Sequence, residues 1–213
     1  DNGGNGNTWH GDNEQLYGGL KWQDASASGL GVDVSYGQQD FGVGKGMLLS
    51  KGASNGVQRG ANQIGPRAAW ANAALATVSV GDFKVQGFWL KPNDSSAAET
   101  GTTLDGINVE WNPPSTVRVG AMWIHVPDSE IVTRDGLDVY DFRARWHPFW
   151  ASPNLWFEAE YAWQTKSNVD ATGWLLQANY NAQDLAWKPL FDFRYASLSG
   201  DRPETAKWEG FDP

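Results

Sequence analysis

From Leu155 to Trp163 the chain reads Leu-Trp-Phe-Glu-Ala-Glu-Tyr-Ala-Trp. Side chains alternate across a strand, so Leu155, Phe157, Ala159, Tyr161 and Trp163 share one face while Glu158 and Glu160 lie on the other. The same two-sided texture recurs from Leu16 to Leu198, with aromatics near the ends of the runs. Apolar toward lipid and polar toward an aqueous lumen is how the wall of an antiparallel transmembrane β-barrel is written, and an all-β barrel is the expected fold class.

Period-2 runs bounded by Gly, Pro, Asn, Asp and Ser predict about ten strands, each near the length that crosses a bilayer obliquely. They fall at Leu16–Asp24, Leu30–Phe41, Arg67–Val80, Phe83–Lys91, Thr103–Trp111, Val117–Val126, Gly136–Trp146, Leu155–Gln164, Thr172–Asn181 and Leu190–Ser199. The connectors Ala25–Gly29 and Gly81–Asp82 are short, whereas Gly42–Pro66 and Pro92–Thr102 are long, the habit of a barrel with turns at one rim and loops at the other. The contrast fades at His147–Asn154 and Ala182–Pro189. Gly42–Gly65 reads as a mobile loop, and residues 1–213 read as one domain because no stretch suggests a linker. Ala residues blur the parity of Arg67–Val80, and a change of phase within Gly136–Asp141 predicts a bulge there.

Parity assigns Val34, Tyr36, Phe83, Val85, Ile107, Val109, Trp123, Phe142, Trp146, Leu176, Phe191 and Phe193 to the outward face. The opposite face carries Lys84, Glu110, Arg118, Asp141, Arg143, Arg145, Glu158, Glu160, Asp192 and Arg194, with Gln86, Asn108, Gln177 and Asn179 among them. Burying that many charges without water costs several kcal/mol for each poorly paired ion, so this face is not an ordinary dry core. Alternation alone also fits a sandwich or jelly roll with one face in solvent. Strand length and the siting of Trp favour the barrel.

Composition narrows the function classes. Thirteen Trp and 25 Gly suit a surface that crosses from apolar to wet and turns tightly between strands. The absence of Cys removes disulfides and thiolate metal sites, and a net charge of −9 argues against a nucleic-acid partner. No apolar run approaches the ~18 residues of a membrane helix.

Catalysis has little support: His10, His125 and His147 lack metal-ligand spacing, and no Gly-rich loop stands between a strand and a helix to cradle a phosphate. Glu158 and Glu160 mimic a paired-carboxylate site, but the rest of their face is equally charged. Asp1, Asn2, Asn5, Asp12 and Glu14 offer oxygen ligands without the fixed spacing of a calcium loop. No metal or other cofactor is implied. Arg118, Arg143, Arg145 and Arg194 are more informative, because planar guanidinium forks lining a passage favour anionic solutes such as uronates. The same charges also serve to pair across strands and stiffen the wall, and both roles can hold together.

The segment from Tyr195 to Pro213, with Ser199-Gly200-Asp201 and then Phe211-Asp212-Pro213, resembles the outer-membrane alginate-export family, in which a strand ends in a Ser-Gly-Asp loop followed shortly by Phe-Asp-Pro. Leu16-Tyr17-Gly18-Gly19-Leu20 is similar in style to that family's early strands. The resemblance implies a monomeric porin of about eighteen strands in the outer membrane of a Gram-negative bacterium, with an Arg-rich passage for an anionic polysaccharide. Ten strands are fewer than that, and Pro213 falls where a loop is expected, without a terminal aromatic strand; part of a larger barrel, incomplete at its C-terminus, is therefore expected.

The expected function is passive conduction of small hydrophilic or anionic solutes, with the lipid bilayer, lipopolysaccharide and those solutes as partners, and with no enzymatic activity. Two rivals are a soluble β-sandwich that stacks sugars on Trp, and a barrel sheath that insulates a partner protein such as a cytochrome.

Overall fold

A computed structural model describes residues 15–24, 29–53, 67–68, 70–94, 99–114, 117–148 and 154–212. The calcium-like cluster, His10 and residues 54–66 of the long loop lie outside them. The strands are β1 (Leu16–Gln23), β2 (Gly31–Gln38), β3 (Gly52–Ala53), β4 (Arg67–Ala68), β5 (Trp70–Val80), β6 (Phe83–Pro92), β7 (Thr103–Trp111), β8 (Val117–Asp128), β9 (Asp138–Trp146), β10 (Leu155–Lys166), β11 (Val169–Asn181) and β12 (Leu190–Leu198). Ten of them form one antiparallel sheet in the order β1-β2-β5-β6-β7-β8-β9-β10-β11-β12, and β3 pairs with β4 in a small separate ribbon. Each long strand lies beside its neighbour in the chain, and the sheet is open, with β1 and β12 at its edges.

These are the strands that the alternating runs predict, within about three residues at each end. Among the described residues the aromatic rows meet no second sheet, unlike those of a sandwich. Val34, Tyr36, Phe83, Ile107, Phe142, Tyr161, Leu176, Phe193 and Tyr195 are all exposed on the outward face. A contiguous apolar surface of that extent is what soluble monomers avoid. No helix among the described residues is long and apolar enough to cross a membrane, which bears only on helical spans.

Rings gather toward both strand ends of the outward face. Phe83 stacks on Trp111, Trp146 on Phe157 and Tyr180 on Phe191 at one rim. At the other, Tyr140 stacks on Trp163, while the Trp123 indole donates to Asp138 at 3.1 Å and the Trp163 indole to Asp170 at 3.0 Å. Apolar bodies with satisfied N–H groups suit a surface where hydrocarbon gives way to water.

The inner face divides in two along the strands. Pairing register lines up Arg118, Arg145, Glu158, Gln177 and Arg194 as one row, and Lys84, Glu110, Gly120, Arg143 and Glu160 as the next. Gln86, Asn108, Met122, Asp141 and Ala162 follow, and then Phe88, Gly106, Ile124, Val139 and Gln164. Polarity therefore falls from the Phe83 rim toward the opposite one. Over the dry half Phe88, Leu90, Met122, Ile124, Val126, Leu137 and Val139 are buried together with Phe41, Val43 and Leu49 of the connector after β2.

That packing corrects the expectation of a mobile loop for residues 42–53. Burying a large apolar side chain is worth about 1.5–3 kcal/mol, and this connector buries Phe41, Val43 and Leu49. The Trp70 indole donates to the Phe41 carbonyl at 2.7 Å and fixes the entry of the segment onto the sheet.

The bulge expected within Gly136–Asp141 is also corrected. From Asp138 to Trp146, β9 pairs regularly with β8, and the register instead slips at Trp70/Asn72 and at Thr103/Asp105. The fading contrast between connectors goes further than expected, because β10 and β11 are joined only by Ser167 and Asn168.

Candidate functional site

Every residue predicted from parity to line the lumen lies on the inner face, but the structure groups these residues unequally. Across β6 to β9 runs one continuous network: Lys84 Nζ lies 2.7 Å from Glu110 Oε2, and Asn108 donates to Glu110 at 3.1 Å and to Gln86 at 3.0 Å. Arg143 then donates to both Asn108 and Asp141. Asp141 is completely buried, so its charge depends on Arg143 for compensation. Arg143 is thereby a fixed part of the wall.

Arg145 is held differently. Its guanidinium lies 5.1 Å from the centre of the Trp156 ring, and its Nε is 3.8 Å from Glu158 Oε1, too far for a hydrogen bond. His147 stacks on the same Trp156 ring at 5.9 Å. Burial first, and then the Arg145 and Arg118 cations, hold His147 below the ordinary imidazole value. Arg118 is exposed and has no carboxylate within ion-pair distance among the described residues. Arg194 donates to Gln177 at 3.4 Å, and Gln177 donates to Asp192, at the edge of the sheet.

Arg118, Arg143, Arg145, Glu110, Glu158 and Glu160 meet around a cavity of about 300 Å³ that Lys45 also lines. Lys84 and Asp141 support it from behind through the network, while Asp192 and Arg194 stand apart on β12. Sequence reasoning missed Lys45, which reaches Glu158 Oε2 at 2.6 Å, and Trp156. A signal for Lys45 was present: Phe41, Val43, Leu48 and Leu49 are too apolar for a solvated loop, which marks the segment as one that packs.

Glu158 and Glu160 are engaged by Lys45, and among the described residues no His, Asp and Glu cluster fit to hold a metal ion occurs. His125 lies on the outward face, 3.0 Å from Asp138.

The Phe-Asp-Pro element is tied into the inner face. Phe211 donates its amide to the Ser199 carbonyl at 2.9 Å and packs its ring on Gly173, where a Cβ would come within 2.9 Å of it. Asp212 donates its amide to Gln164 at 2.9 Å and accepts hydrogen bonds from Nε and Nη2 of Arg134.

A family model described as alginate export matches residues 10–213. No curated protein and no solved structure gives a match.

Proposed function

This chain belongs to the alginate-export family, and from that premise we propose that it forms the wall of an outer-membrane porin that passively conducts small hydrophilic or anionic solutes, uronates among them. The observation that carries the reading is the contrast between the two faces of a single sheet. Exposed Phe, Tyr, Trp and Ile side chains cover one side, and the arginine-lined cavity opens on the other. A bilayer solvates the first and water the second. The setting is the outer membrane of a Gram-negative bacterium, with lipopolysaccharide around the barrel, a monomeric assembly and no chemical step.

Selectivity in such a passage comes from the charges that a dehydrating solute meets. Arg118 and Arg145 face the cavity with the least compensation, and Arg194 extends the same row. A carboxylate passing them exchanges water for guanidinium hydrogen bonds, whereas a cation gains nothing.

Planar-bilayer recording of the purified protein in a salt gradient tests this. Discrete conductance steps with an anion-selective reversal potential are expected, and Arg118→Glu with Arg145→Glu moves that potential toward cations. Barrel closure is checked by electrophoresis with and without boiling. A heat-modifiable protein that gives no conductance would overturn the porin reading and favour a sheath around a partner protein.

A further inference from the structure

We propose that Lys45 sets the selectivity of the charged face, as a counter-cation that the loop delivers to Glu158 so that Arg118 and Arg145 stay available to solute. The proposal rests on the porin reading and names a specificity-determining residue within it.

Three features hold the lysine in place. Phe41 and Val43 before it and Leu49 after it are buried in the dry half of the inner face. Val43 donates its amide to the Leu49 carbonyl and Gly46 donates to the Val43 carbonyl, both at 3.2 Å, which closes the segment into a tight turn. Gly44 has φ +62°, and a Cβ there would stand 2.7 Å from Arg143 Cδ and 3.0 Å from Glu160 Oε2. Only glycine lets the backbone adopt that conformation and lie this close to the wall.

The turn presents Lys45 to two acids at once. Its amide donates to Glu160 Oε2 at 3.3 Å, and its ammonium lies 2.6 Å from Glu158 Oε2. The other acids at and behind this cavity, Glu110 and Asp141, already have wall partners, since Lys84 meets Glu110 and Arg143 meets Asp141. Without the Lys45 ammonium, Glu158 would be left to Arg145, whose Nε already stands 3.8 Å from Glu158 Oε1, and would draw that guanidinium away from solute. With it, the cavity carries a surplus of positive charge where a small carboxylated solute enters.

Reversal potentials in planar bilayers test the proposal on the wild type, Lys45→Gln, Lys45→Arg, Lys45→Glu and the double variant Lys45→Gln/Glu158→Gln. Lys45→Gln is expected to shift the potential toward cations, Lys45→Glu to shift it further, Lys45→Arg to keep the wild-type value, and Glu158→Gln to recover part of the shift. Unchanged potentials in Lys45→Gln and Lys45→Glu, while Arg118→Glu still shifts them, would overturn the role of Lys45 and leave the porin reading standing. A wild type without conductance would overturn both.

Discussion

Asp212 grips the guanidinium of Arg134 through two hydrogen bonds of 2.5 Å across a separation of 78 residues. The pair joins the segment after β12 to the connector between β8 and β9. Its fork geometry fixes direction as well as contact. The Asp of the Phe-Asp-Pro element is thus a clamp between that segment and the connector.

Asp212→Asn keeps the shape but removes the charge, and is expected to lower stability by about 1–2 kcal/mol, since hydrogen bonds to charged groups exceed neutral ones. Urea unfolding of the detergent-folded protein, followed by Trp fluorescence, reads this. Asp212→Asn and Arg134→Ala combined should cost little more than either alone, because both remove one interaction.

Gly44→Ala places a Cβ against Arg143 and Glu160 in a left-handed backbone, at a cost of about 1–2 kcal/mol. The segment then lifts from the wall. Loss of protection of the Val43 and Gly46 amides in hydrogen exchange is the expected signature, with the strands still protected.

Much of this fold was legible in the sequence, because a strand records its two environments in alternate residues. The Leu155–Trp163 run was enough to place Glu158 and Glu160 together and Phe157 and Tyr161 opposite them. The division of the inner face into a charged and a dry half was not legible. Phe88, Ile124 and Val139 share the parity of the charged residues, and only the cover laid over them by Phe41, Val43 and Leu49 explains why that parity turns apolar. Partners brought together by register, such as Arg143 with Asn108, likewise emerge only once three strands are aligned.

Phe88→Ala tests that cover. Its ring lies 5.1 Å from that of Phe41, and truncation opens a cavity in a packed cluster, with an expected loss of about 3–5 kcal/mol. Phe193→Ala, exposed on the outward face, should cost far less in detergent. Comparable losses at both sites would contradict the division of the inner face.

The imidazole of His147, next to Arg145 and Arg118, binds its proton less readily than an unfolded histidine does. Below the ordinary imidazole value the unfolded chain therefore holds more protons, so stability present above that value is lost as pH falls. Histidine NMR of the folded protein, assigned with His147→Gln, should show a midpoint below that of free imidazole. Arg145→Glu should move it upward.

The tethering of the Trp123 and Trp163 indoles to Asp138 and Asp170 has a mechanical consequence. Rings pinned to the neighbouring strand cannot slide to follow a change in acyl-chain length. In the proposed setting the lipid therefore has to deform around the protein, thinning or thickening locally, and the height at which the barrel floats is written into two side-chain hydrogen bonds.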